Sequence, residues 1–297
     1  MRRGIRNWGP GLLLVSPSIV LIAVFVYGLI GWNLNISLTD RHSALPATTY
    51  VGFDNYTALF SEDRFQHAML NLVSYTVAFL LGTLFFGLLW ALLLERSTRG
   101  EGFFRATYLF PMAVSFVASG VVWRWLLNSA EGESASGLNR LFQSVGLDGL
   151  QNAWWSNPDS KMGMAAMALP AVWQLSGYVM ALFLAGLRSI PDELREAARI
   201  DGASEYRLYR HVIFPQLSPV ALAALIIIGH MSLKVFDLIM SVSGAIFLTE
   251  VPATYMWTTL LSFDYAKAAA IAGVLLVVVA VVVVPYLVST IRAEKRS

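Results

Sequence analysis

Six stretches of this chain are each long enough to cross a bilayer as a helix, and that decides what it can fold into. About 20 mostly apolar helical residues span the hydrocarbon layer. Such runs lie near 11–35, 69–94, 106–127, 164–187, 217–241 and 268–291. They predict an all-α membrane protein of about six transmembrane helices, with residues 1–297 as one transmembrane domain and no internal repeat. Only 13% of residues are charged, against about a quarter in soluble domains. A lipid-facing surface accounts for the deficit. The first run follows Arg2, Arg3 and Arg6 and lacks a small-residue cleavage pattern, so it is expected to stay as a signal anchor.

Orientation comes from the cations, because loops rich in Lys and Arg stay cytoplasmic. Arg96, Arg99 and Arg105, then Arg188, Arg195, Arg199, Arg207 and Arg210, and finally Arg292, Lys295 and Arg296 fall on the side of the N-terminus. The other side holds Arg41, Arg64, Arg140, Lys161 and Lys267, while Arg124 and Lys234 fall inside runs. Both termini are therefore expected in the cytoplasm, and Arg124 is expected to snorkel from the outer end of its run. The external segments 40–67 and 128–161 carry Phe53, Tyr56, Trp154 and Trp155 among polar residues. That suits either an interfacial aromatic belt or docking of an external partner.

Several chemistries are excluded. The net charge of +2 is too small, and the cations too scattered, for nucleic acid. The chain has no cysteine, no phosphate-binding G-x-x-x-x-G-K-[ST] loop and no G-x-S-x-G nucleophile elbow. Its histidines, His42, His67, His211 and His230, lack metal-ligand spacing. The chain is therefore expected to be non-catalytic, to bind no cofactor and to hold no metal.

The segment 188–215 is the most informative. Pro191 suits a first helical turn, and Asp192 and Glu193 suit a helix N-terminus. Asp201-Gly202 supplies a turn, and Pro215 and Pro219 mark the return to the membrane. Two short helices joined by a turn make a rigid knob for another protein to grip, or an amphipathic element lying on lipid headgroups.

A resemblance separates these readings. Glu196-Ala197-Ala198, Asp201-Gly202-Ala203 and Pro215 resemble the EAA loop of permease subunits in binding-protein-dependent ABC importers, with Tyr209 where phenylalanine is frequent and Val212 where isoleucine is. The resemblance covers nearly the whole chain and extends to the sugar branch of maltose- and glycerol-phosphate-type permeases. It runs through Ser37-Leu38-Thr39-Asp40, Val51–Tyr56, Phe110-Pro111, Trp123-Arg124-Trp125, Gly137-Leu138-Asn139, Trp173-Gln174, Gly177-Tyr178 and Val235–Leu238. A glycine-rich segment of that branch is reduced to Ser243-Gly244-Ala245-Ile246, while Glu250–Trp257 and Val284–Leu287 look like glucose/mannose-type members.

The resemblance implies a type I, MetI-like permease fold and a coupling helix that sits in a cytoplasmic ATPase, with Glu196, Ala197, Ala198, Asp201 and Gly202 as the coupling residues. It also implies a second permease, different from this one, two ATPase subunits that use ATP and Mg, and an extracytoplasmic sugar-binding protein. Sugar-contacting positions carried over from that family fall on the turn of Trp173 and Gln174 and on Tyr178, His230, Met231 and Lys234.

From spacing alone, His230, Lys234 and Asp237 share one helical face in the fifth run. They are expected either to line a translocation path or to satisfy one another between helices. An ion-gradient transporter is the alternative, or a permease for a solute other than sugar. The sequence shows none of the interrupted helices common in ion-driven transporters.

Overall fold

The computed structural model describes residues 13–45, 49–95, 100–130, 132–157 and 163–294. Arg2, Arg3, Arg6, Arg96, Arg99, Lys161, Lys295 and Arg296 lie outside the described residues. In chain order the principal helices are α1 (Leu13–Ser37), α2 (Asp54–Phe60), α3 (Asp63–Glu95), α4 (Glu101–Leu109), α5 (Phe116–Leu126) and α6 (Gly137–Ser144). There follow α7 (Leu169–Ser189), α8 (Asp192–Ile200), α9 (Glu205–Ser232), α10 (Asp237–Val242), α11 (Pro252–Leu261) and α12 (Tyr265–Glu294). Among the described residues the only β pairing is an isolated bridge between Thr39 and Tyr50.

Among the described residues five helices are long and apolar enough to span a membrane: α1, α3, α7, α9 and α12 up to Pro285. A sixth crossing depends on α4 and α5, which meet at 97°. The sequence predicts one continuous run over 106–127, and the bend corrects it. Pro111 stands in a 3-10 turn (Phe110–Ala113). Val114 and Ser115 are extended, and the Ser115 hydroxyl accepts from the Ala118 amide to cap a new helix.

The chain forms two compact units, one of Met1–Glu62 and Met256–Val277, the other of Asp63–Tyr255 and Val278–Ser297. In the first, the segment that follows α1 is ordered by side chains. The Asn55 amide donates to the carbonyls of Ser37 and Thr39, both at 2.8 Å, and the hydroxyls of Tyr56 and Ser37 meet at 2.8 Å. Lys267 pairs with Glu62 at 2.6 Å, and His42 meets Asp264 at 2.8 Å.

In the second unit α7 is central, packed by α3, α9 and the elbow of α4. Gly177 permits the elbow contact, because a Cβ there would overlap the Tyr108 carbonyl. The segment after α5 is a lobe organised by fully buried Asn139. Its amide donates to the carbonyls of Asn128, Ala130 and Asn152, and its oxygen accepts from the Asn152 amide and the Trp154 indole N–H, all at 2.9–3.3 Å. Trp154 packs with Leu127 and Ala166, and Trp155 packs on the same cluster. Trp154 therefore builds the lobe's core, which corrects the belt and docking readings for that residue.

Candidate functional site

The segment after α7 folds as a projecting helix with a fixed base. Pro191 is extended and sits at the N-cap, one place before the helix it was expected to open, and Asp192 and Glu193 occupy the first turn of α8. Gly202 adopts φ +77° at the turn, a conformation that costs glycine nothing. The Ser204 hydroxyl then caps the next helix by accepting from the Arg207 amide at 3.4 Å, and Arg199 closes the turn on Glu205 at 2.9 Å. Outwardly α8 offers Glu196, Ala197 and Ile200, with Ile200 85% exposed. An apolar side chain so exposed beside charges fits a protein-binding surface.

The second short helix is not separate: it runs into α9. A π-helical stretch, Tyr209–Ile213, precedes Phe214, and Pro215 and Pro219 lie within the helix. The wider turn accommodates prolines that would clash with a regular preceding turn.

The base of α8 holds residues the sequence reading missed. Arg195 reaches Glu95 at 2.6 Å, close enough to pair but not aligned as a hydrogen bond. The Tyr209 hydroxyl donates to the other Glu95 oxygen at 2.7 Å, and Arg188 pairs with Glu101 at 2.8 Å. A carboxylate at the C-terminal end of a long apolar helix, where the helix dipole disfavours it, was the signal available in the sequence.

The expected polar face of the fifth run does not exist as a helical face. α9 ends at Ser232, whose hydroxyl bonds back to the Gly229 carbonyl at 2.7 Å. Lys234 lies in the connecting turn, and Asp237 opens α10. Gly229 is a weak helix former, and Asp237 suits a helix start. This break, with the α4–α5 elbow, also corrects the expectation of uninterrupted helices.

The break opens a cavity of about 200 Å³ whose lining includes Tyr75, Phe116, Met231, Ser232, Lys234 and Asp237. Among the described residues no ion pair joins Lys234 to Asp237 or His230, and both Lys234 and Asp237 are exposed. Self-satisfaction between helices is thereby corrected in favour of open polar groups at a cavity.

The remaining predicted residues scatter. Half-buried His230 precedes Met231 without lining that cavity. Trp173 lies in a separate aromatic cleft of about 380 Å³, its ring 6.2 Å from that of Trp123. Gln174 is buried and its amide donates to the Val114 carbonyl, so it holds the elbow. Tyr178 is half-buried outside both spaces. Arg124, expected to snorkel, lines a separate open cleft with Trp125 and Trp155.

With this geometry in view, known proteins fall into one group. The sequence profile described as binding-protein-dependent transport system inner membrane component matches residues 83–294. A probable ABC transporter permease protein of Pyrococcus horikoshii is 38% identical over 288 residues, covering 96% of this chain and 97% of its own. The xylose/arabinose import permease protein of Haloferax volcanii is 36% identical over 273 residues, covering 90% and 84%. In fold, the chain matches one from a bacterial ABC transporter involved in import of the acidic polysaccharide alginate, with a TM-score of 0.77, 21% identity and 98% of both chains covered.

Proposed function

Because the chain belongs to the inner membrane components of binding-protein-dependent transport systems, we propose that it is the permease subunit that moves a sugar inward by alternating access, driven by ATP hydrolysis on another chain. The observation that carries this reading is α8, a rigid helix with a spread apolar and acidic outer face and an ion-paired base, standing directly between two membrane helices. An ATPase that closes on ATP and Mg would push this helix, and the cavity at Ser232–Asp237 would open in turn to the two sides.

At about 200 Å³ the cavity is smaller than the roughly 300–1,000 Å³ of complete ligand pockets. That supports a second permease supplying the other wall, which the resemblance makes a different chain from this one. An extracytoplasmic binding protein would deliver the sugar, and both termini would lie in the cytoplasm. Lys234 and Asp237 would bond sugar hydroxyls, and Met231 would contact apolar ring faces.

The sugar-importing relatives favour a monosaccharide or a small oligosaccharide as cargo. The narrower glucose/mannose reading rested partly on the stretch beginning at Glu250, but Glu250 is buried in an ion pair with Arg64 and lines no cavity described above. Glu250 itself would therefore not touch the sugar. One observation favours an ion-gradient transporter: interrupted helices are frequent in that class. The exposed α8 has no task in such a protein.

Liposomes holding this chain with its partner permease and ATPase, supplied with binding protein, test the reading. Radiolabelled xylose, arabinose, glucose and mannose are offered with and without internal ATP. Accumulation of one or more only with ATP is expected. Accumulation driven by an imposed ion gradient without ATP refutes it.

A further inference from the structure

Glu95 sits where local chemistry disfavours it. As the last residue of α3 it faces the negative end of that helix's dipole, yet its side chain is only 9% exposed. Two other elements hold it there. Arg195 of α8, the residue before Glu196, approaches one carboxylate oxygen at 2.6 Å, and the hydroxyl of Tyr209, at the root of α9, donates to the other at 2.7 Å. Arg195 also donates to the Leu187 carbonyl near the end of α7, at 3.1 Å. Arg188 of α7 donates to the Leu94 carbonyl at 3.3 Å, beside Glu95.

One carboxylate therefore ties the ends of α3 and α9 to α8, and through Arg195 reaches α7. A polar cavity of about 290 Å³, which Asp192 and Arg199 also line, adjoins this cluster. It leaves room for the tied groups to move. Tyr209 stands where phenylalanine is frequent in the loops this one resembles. Its hydroxyl makes the second tie.

A feature that breaks a local rule and is compensated from two directions marks a functional demand. We propose that Glu95 is a positioning residue that converts displacement of α8 into joint displacement of α3 and α9, so that ATP-driven motion reaches the cavity at Ser232–Asp237. This rests on the transport function proposed above, and the tie itself is testable without it.

Glu95→Gln keeps the volume and a hydrogen bond to Tyr209 but removes the charge. In the complete transporter, with the sugar that the wild type accumulates, the variant is expected to retain its ATPase subunits and to hydrolyse ATP within about twofold of wild type, while uptake falls about tenfold or more. Exchanging the partners, Glu95→Arg with Arg195→Glu, is expected to restore uptake to within about threefold. Unchanged uptake, or hydrolysis and uptake falling in parallel, overturns the proposal.

Hydrogen exchange on the purified chain alone gives an independent readout: the amides of α8 are expected to exchange about tenfold faster in Glu95→Gln. Unchanged exchange overturns the tie whatever the wild type transports. Faster exchange in a chain whose wild type shows no ATP-driven uptake keeps the tie and sinks the transport reading.

Discussion

The Arg64–Glu250 pair predicts an asymmetry that a symmetric view of salt bridges does not. Arg64 at the start of α3 donates from Nε and Nη2 to the two Glu250 oxygens, both at 2.7 Å. The Glu250 side chain is fully buried whereas that of Arg64 is 43% exposed, and Arg64 also lies 4.4 Å over the Tyr255 ring. Arg64→Met keeps apolar bulk but strands a carboxylate with no route to water.

Removing one partner of a buried pair costs about 3–5 kcal/mol, because the survivor's desolvation is uncompensated. Losing the ring contact adds about 0.5–1 kcal/mol. Glu250→Gln instead leaves an acceptor of the same size beside a cation that already reaches solvent. It should cost about 1–1.5 kcal/mol, as for an ordinary hydrogen bond weakened rather than orphaned. At roughly 2–4 °C per kcal/mol for chains of this order of size, Arg64→Met should melt on the order of 10 °C below wild type and Glu250→Gln only a few degrees below. The nine tryptophans provide the signal for thermal melts in detergent by intrinsic fluorescence. Equal losses, or a larger loss for Glu250→Gln, refute the reasoning that burial of the acid sets the magnitude.

Three further outcomes follow from the same geometry. Gly202→Val meets open space but forces a β-branched residue to φ +77°; strain of about 1–3 kcal/mol should re-angle α8 and uncouple ATP hydrolysis from uptake, whereas Gly202→Asn should retain most uptake. Gly177→Ala should destabilise by about 1–3 kcal/mol or more, because the overlap is with Tyr108 backbone, and a melting temperature unchanged from wild type would count against the close approach. Asn139→Ala removes five side-chain hydrogen bonds that hold the lobe, so Trp154 emission should shift to the red and quenching by iodide should rise, while ATP hydrolysis by the assembled complex stays near wild type.

Membrane helices were legible because hydropathy is summed over many residues, and the turn at Gly202 was legible because its chemistry lies within a few positions. Interruptions were harder to see. The span over 106–127 carried its own warning in Pro111 and Ser115, but the 217–241 run has neither proline nor glycine between Leu233 and Phe236. Its break depends on distant packing: α10 closes on α5 because Gly120 has no side chain, and a Cβ there would overlap Ser241.

The same holds at the sites. Glu196 to Gly202 could be read locally, whereas Glu95 and Tyr209 are separated by 114 positions and meet only in the folded chain. Trp154 reads as an interfacial aromatic from composition and is claimed instead by Asn139, a contact no periodicity encodes.

The gap between Ser232 and Asp237 also bears on how such a protein changes cargo over time. Ends of helices leave carbonyls and amides without intrahelical partners, and here the end of one helix and the start of another border the same small volume. These main-chain groups persist through any side-chain substitution and accept or donate to hydroxyls without regard to their pattern. On the proposed function, a few positions, Met231, Lys234 and Asp237 among them, would carry what discriminates. An ancestor built this way keeps a tolerant polar recess while selection retunes preference one side chain at a time. New substrates then become reachable without passing through a chain that has lost its binding site.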